Sequence, residues 1–175
     1  LTLSSPILNV KQWTFIKNWK PESSQIISSL VYSCLQAKDF QNHLDAQIQR
    51  AVVLVKTGTK FLILSDQAAI NAVNSDMDQM IYSVPMLLLI SGIHQALVKE
   101  KIRNQVSIIV NSAEVRDVHH IACCIGYGAE AVYPRGVLEL ICQNSVEQTN
   151  YVKALEKGLL KVMSKMGISS VASYC

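Results

Sequence analysis

No stretch of this sequence is apolar for long enough to cross a membrane: the longest, Val84-Pro-Met-Leu-Leu-Leu-Ile-Ser-Gly-Ile93, is about half of the roughly 20 residues a span requires, and His94 follows at once. The beginning, Leu1-Thr-Leu-Ser-Ser-Pro-Ile-Leu8, lacks the basic flank and long apolar region of a secretory signal. Charge of one sign is scarce too. The 16 lysines and arginines are spread along the chain and leave a net charge of only +3, whereas a nucleic-acid binder gathers them into a stripe. Neither a membrane nor a nucleic acid is therefore expected as a partner, and the charge reads as a solubility property. Cysteine is present but unpaired in pattern. Five residues (Cys34, Cys123, Cys124, Cys142 and Cys175), an odd number without a CxxC, exclude a disulfide framework and a zinc knuckle and fit a reducing compartment. Cys123 and Cys124 lie in the apolar run Ile121 to Ile125, where a free cysteine acts as a small hydrophobe, so buried, inert thiols are expected.

The short motifs that carry chemistry are missing as well. There is no GxGxxG and no GxxxxGK[ST]; Gly126-Tyr-Gly128 follows a helical pattern rather than a strand, the wrong context for a dinucleotide fingerprint. No GxSxG elbow presents a nucleophile at a strand-to-helix turn, which disfavours a hydrolase built from Cys123 or Ser112 with His119 or His120. HExxH spacing is absent, and adjacent histidines on a helix point about 100° apart. A metal held by His119 and His120 with Glu114 and Asp117 is accordingly disfavoured. Buried, hydrogen-bonded imidazoles are the simpler reading for that pair and for His94.

What is there is a hydrophobic half, enough for one compact domain with a substantial core. A short helix is expected around Lys11 to Asn18. Leu44, Ile48, Ala51, Val52 and Val55 recur at spacings of three and four, which predicts a helix over His43 to Lys56 that Gly58 ends. Phe61-Leu-Ile-Leu64, Val106-Ser-Ile-Ile-Val110 and Ala131-Val-Tyr133 are short apolar runs, the mark of strands covered on both faces. Between the first two, a polar stretch from Asn71 to Gln79 precedes a helix that Pro85 opens and that runs to about Lys101. Glu114 to Cys124 gives the next helix, and Gly136 to Cys142 and Glu147 to Lys165 two more. Helices alternating with strands imply parallel pairing. The class is α/β: a short, mostly parallel sheet with flanking helices and a helical C-terminal third.

Ligands of parallel sheets gather beyond the carboxyl ends of the strands. Those ends carry Ser65 and Asp66, Asn111 and Ser112, and Pro134 and Arg135. Asp66 could serve as a general base and Arg135 as an anion anchor, with Asn111 beside them, in a pocket for a phosphate or a dicarboxylate. The competing reading is that Ser65, Asp66 and Asn111 cap helices or turns, because their oxygens accept free N–H groups.

Leu64-Ser-Asp66, Val84-Pro-Met-Leu-Leu88, His94, Ile102-Arg103, Val106 to Val110, Val115-Arg-Asp-Val-His-His120, Ile125-Gly-Tyr-Gly-Ala129 and Lys157-Gly-Leu-Leu-Lys-Val-Met-Ser-Lys-Met-Gly-Ile-Ser169 together resemble, in that order, the glutamate synthase large subunit, in its central domain and the start of its flavin domain. Ser4-Ser-Pro-Ile-Leu8 resembles an earlier part of the same central domain, and the Cys123 of His119-His-Ile-Ala-Cys-Cys124 leans toward the ferredoxin-dependent branch. The sequence departs from the family where Gln67 stands in place of the usual arginine, at Pro134-Arg-Gly-Val137, and in a shorter stretch between Glu139 and Asn150.

The resemblance implies L-glutamate formation from glutamine and 2-oxoglutarate in ammonia assimilation: an amidotransferase domain releases ammonia, which travels through a tunnel to a β/α barrel holding FMN beside a 3Fe–4S cluster. It implies that residues 1–146 are the central scaffold and residues 147–175 the start of the FMN-binding domain, with no catalytic, cofactor or metal residue in this segment. Ser5 and Asn9 would face the ammonia tunnel. The implied partners are the amidotransferase and FMN domains of the same polypeptide and, for the whole enzyme, ferredoxin or a pyridine-nucleotide-dependent small subunit. The implied setting is a bacterial cytoplasm or plastid stroma.

Overall fold

Residues 3, 5–19, 24–28, 30–32, 37–67, 81–141 and 143–174 are described by a computed structural model. Helix α1 (Val10–Trp19) precedes strands β1 (Ser24–Ser28) and β2 (Leu30–Tyr32). Then follow α2 (Ala37–Lys56), β3 (Phe61–Ser65), β4 (Ile81–Ser83), α3 (Met86–Lys99), β5 (Ser107–Ser112), α4 (Val118–Gly126), β6 (Ala131–Pro134), α5 (Arg135–Leu140) and α6 (Ser145–Met166). Single 3-10 turns lie at Arg103–Gln105 and Val171–Tyr174.

The apolar runs form the sheet. Its order is β1-β3-β5-β6 and every pairing is parallel. In register across it lie Ile63, Ile109 and Ala131, then Ser65, Asn111 and Tyr133. Each strand joins beside the one before it, so the crossovers all step in one direction, as in a β/α barrel and unlike a doubly wound sheet. Beyond β6 the N-terminal segment adds a parallel bridge between Ile7 and Val132. There the Leu8 N–H donates to Val132 O at 2.8 Å and the Val132 N–H to Pro6 O at 2.8 Å. β2 and β4 form a separate antiparallel pair.

Helix packing depends on small residues. A Cβ on Gly92 of α3 would meet Ile48 Cδ1 of α2 at 2.6 Å, and one on Gly158 of α6 would meet Val118 Cγ2 of α4 at 2.3 Å. Helix α6 buries Val152, Leu155, Leu159 and Met163, a stripe at spacings of three and four. On the sheet face that carries Ser65, Asn111 and Tyr133, Trp13 of α1 stacks on Tyr133 with ring centroids 5.1 Å apart and planes 13° apart. That places α1 over this face, and Ile16 is buried with it. Such aromatic stacking adds roughly 0.5–1.5 kcal/mol to the burial itself.

The α/β class and the helical last third stand, with local differences. Helix α2 begins at Ala37, ahead of the expected His43. Helix α3 stops at Lys99, short of the expected Lys101, which has a left-handed φ of 60°. Helix α4 starts at Val118 rather than Glu114, since Asp117 accepts the His120 N–H as its cap while Glu114 Oε2 accepts the Met86 N–H at 2.9 Å. β5 continues to Ser112, so Asn111 and Ser112 belong to the strand rather than to the loop beyond it. Helix α5 begins at Arg135 and ends at Leu140. Strands β1, β2 and β4 have no counterpart in the sequence reading, and the stretch from Asn71 to Gln79 lies outside the described residues. Among those residues no helix is long and apolar enough to cross a membrane.

Candidate functional site

At the carboxyl end of the sheet, β3 delivers Ser65 and Asp66, β5 delivers Asn111 and Ser112, and the turn after β6 delivers Arg135. All five are buried. Asp66 Oδ2 accepts from the Ser112 hydroxyl at 2.7 Å and from the Ala113 N–H at 2.7 Å, and Oδ1 accepts from Arg135 Nη2 at 2.5 Å. Arg135 Nη1 donates to Glu139 Oε2, one helical turn on, at 3.0 Å. Ser65 Oγ accepts from Asn111 Nδ2 at 3.0 Å and from the Gln67 N–H at 3.2 Å. Two buried atoms, Asn111 Oδ1 and Arg135 Nε, have no protein partner. Both carboxylate oxygens of Asp66 are thus engaged. It cannot act as a base without breaking an ion pair whose two side chains are each 4% exposed, and a buried charge left without its partner is costly.

Asp66 and Arg135, singled out from sequence, are brought together; Asn111 joins them only through the strand, bonding Ser65 instead. The capping reading holds for Ser65 on Gln67 and Asp66 on Ala113, and fails for Asn111, which caps nothing among the described residues. Ser112, one of the strand-end residues, and Glu139 complete the network, and only Glu139 gives no sign of such a role in sequence.

The amino end of the sheet is built differently. A cleft of about 660 Å³ lies there, lined among others by Lys60, Phe61, His94, Ser107, Ala129 and Val171. Arg103 crosses it. Its Nη1 donates to Val106 O at 2.7 Å, Nη2 to Gly128 O at 2.8 Å and to Glu130 Oε1 at 2.9 Å, and Nε to His94 Nδ1 at 3.2 Å. Burial, and secondarily the Arg103 charge, hold the His94 imidazole below its ordinary pKa. His94 is therefore hydrogen-bonded and half-buried, close to the expectation. Neither Arg103 nor Gly128 stands out as a candidate in the sequence, because two of the four acceptors, Val106 O and Gly128 O, are backbone carbonyls that no side-chain pattern reports.

His119 is exposed and His120 half-exposed, which corrects the expectation that both are buried. Helix α4 turns them outward because Ile121, Ala122, Cys124 and Ile125 take its inner face. Cys123 is likewise only half-buried, with Sγ 3.7 Å from His119 Nε2. Cys124 is buried as expected, and burial, ahead of the neighbouring Cys123 and Glu114, pushes its thiol up to about 12. Cys34, Cys142 and Cys175 lie outside the described residues. Among the described residues, no group of three or more His, Cys, Asp and Glu is placed to hold a metal ion. Ser5 Oγ accepts the Ile7 N–H at 3.2 Å. Asn9 caps α1 reciprocally with Gln12, each side chain accepting the other's N–H at 2.9 Å. Asn9 also lines a second cleft, of about 670 Å³, opposite the first turns of α6.

Strands laid side by side in one direction, with helices between them, define a β/α fold of the barrel kind. Solved structures agree: a flavocytochrome b2 double variant with sulfite bound superposes with a TM-score of 0.55 at 17% identity, over 80% of this chain and 37% of that one. The pyruvate-bound form gives 0.56 at 16% identity, over 79% and 36%. Identities this low show the fold alone. The sequence goes further: residues 1–175 match the glutamate synthase central domain, and the chain belongs to that family. Over 99% of its length it is 33% identical to the NADPH glutamate synthase large chain of Bacillus subtilis and 30% identical to the ferredoxin-dependent glutamate synthase of Cyanidium caldarium. The ferredoxin-dependent chloroplastic enzyme of Oryza sativa subsp. japonica is also 30% identical, over the whole chain. The chain spans only 11–12% of the length of these relatives. Relatives of both donor types are similar to nearly the same degree, so identity alone selects no branch.

Proposed function

We propose that this chain is the scaffolding segment of a glutamate synthase, an oxidoreductase that makes L-glutamate from glutamine and 2-oxoglutarate, and that it has no active site of its own. The observation that carries this reading is the closed carboxyl end of the sheet. Where a parallel sheet would offer its strand ends to a ligand, Asp66, Ser112, Arg135 and Glu139 bond to one another. There Asp66 has both oxygens engaged and Arg135 both terminal nitrogens, which leaves Arg135 Nε and Asn111 Oδ1 as the unpartnered atoms; in this reading FMN and the 3Fe–4S cluster are held by other parts of the polypeptide. In this reading the rigid sheet holds the amidotransferase and FMN domains in register. The Ser5 to Asn9 segment walls part of the ammonia passage, where excluding water matters because protonated ammonia is no nucleophile. Ferredoxin or a pyridine-nucleotide-dependent subunit supplies the electrons, in a reducing compartment such as a bacterial cytoplasm or plastid stroma.

The test has two arms. The purified 175-residue chain is expected to lack flavin absorbance and to release no ammonia from glutamine; a yellow, flavin-fluorescent preparation would overturn the reading. In the whole enzyme, Asn9→Ala is expected to raise glutamine consumed per glutamate formed while sparing synthesis from added ammonia. An unchanged ratio removes Asn9 from the passage. A stand-alone domain that takes phosphate or dicarboxylates at Asp66, Asn111 and Arg135 is not favoured, since both Asp66 oxygens and both Arg135 terminal nitrogens are already engaged and the charges of the pair offset each other. Either ligand raising the melting temperature, with the effect lost in Arg135→Met, would restore it.

A further inference from the structure

The clasp at the amino end has a property that the ion pair at the carboxyl end lacks. His94 Nδ1 accepts the Arg103 Nε–H, and an imidazole nitrogen accepts only when it carries no proton. The surroundings leave a proton there nowhere to go. On one side the backbone walls the ring: a Cβ on Gly128 would stand 2.2 Å from Nδ1 and 2.7 Å from Cγ, and Gly128 itself holds φ at 112°. The charged and titratable groups lining the cleft are Lys60, Arg103 and Glu130. Lys60 and Arg103 are donors, and Glu130 Oε1 already accepts from Arg103. The last turn contributes only Val171 and Ala172. A proton on Nδ1 would set N–H against N–H and cation against cation.

We propose that His94 is a proton-operated latch. Neutral, it completes the hold of Arg103 on Val106, Gly128 and Glu130; protonated, it drives the guanidinium away and frees the loop between α4 and β6 that floors the cleft. The inference rests on this clasp alone and is independent of the enzyme assignment. The sign of the stability change follows. His94 titrates below 6.5 in the folded chain and near its ordinary value when unfolded, so the unfolded state binds more protons as pH falls. Stability is full above 6.5 and is lost as pH drops below it.

Proton–nitrogen correlation spectra of the 175-residue chain between about pH 8 and about pH 5 test the latch. His94 is expected to titrate below 6.5, and the Gly128 and Ala129 amides to shift with the same midpoint. In His94→Gln those amides should hold still. Should that variant fail to fold, Arg103→Gln decides the matter: without the guanidinium the His94 midpoint is expected to rise. A His94 midpoint at or above 6.5, Gly128 and Ala129 signals static through the titration, the same shifts persisting in His94→Gln, or a midpoint unmoved in Arg103→Gln would each overturn the proposal.

Discussion

The two ends of the sheet each turn on one arginine, and the two arginines do opposite things. At the carboxyl end Arg135 meets a buried carboxylate, both side chains 4% exposed, and the strand ends are sealed. At the amino end Arg103 meets two backbone carbonyls, a neutral imidazole and Glu130, whose side chain is 47% exposed; a cleft remains beside it. A buried ion pair tolerates no missing partner, because the survivor's charge cannot reach water. Arg103 keeps a solvated counter-ion and depends instead on the protonation of one ring. One end is fixed and the other can respond.

That contrast is open to test by denaturation. Asp66→Ala should cost the most, about 3–5 kcal/mol, since it strands the Arg135 charge with only Glu139 beside it; in urea the midpoint should fall steeply. The double variant Asp66→Ala/Arg135→Met should recover part of the loss, and a double variant no better than the single would mean that the pair is not what seals this end. Next comes Gly128→Ala, at about 3 kcal/mol from positive-φ strain and the displaced His94 ring. Gly167→Ala, also at positive φ but with nothing within 4 Å of its Cβ, should cost only about 1 kcal/mol. Equal losses at the two glycines would show that contact with His94 adds nothing. An effect as small belongs to neither end: Asn9→Ala removes the α1 cap and should cost about 1 kcal/mol by thermal melting.

How much of this was legible follows from where each signal resides. β3, β5 and β6 were visible because strands covered on both faces need continuous apolar runs, and Leu62, Leu64, Ile108, Val110 and Val132 are completely buried. β1 was not. Ser24-Gln-Ile-Ile-Ser28 has two apolar residues and no period, and it is a strand because β3 offers it a parallel edge. At the site, Asp66 and Arg135 could be paired from sequence because they end strands of one sheet. The clasp could not, because Val106 and Gly128 take part through carbonyl oxygens that every residue possesses. The outward turn of His119 and His120 was misjudged because the apolar inner face of α4 lies at Ile121, Ala122, Cys124 and Ile125.

The bridge between Ile7 and Val132 fixes a sequence of events in synthesis. Strands β1, β3, β5 and β6 can join in the order in which they are made, each beside its predecessor. Ile7 and Leu8, only 1% and 0% exposed once folded, precede all four of these strands in the chain and yet pair with the last of them, β6. Closing so long a loop is slow compared with pairing neighbours. Until β6 is in place the Ile7–Leu8 segment has no strand to lie on, and the edge of β6 is where its apolar side chains leave water.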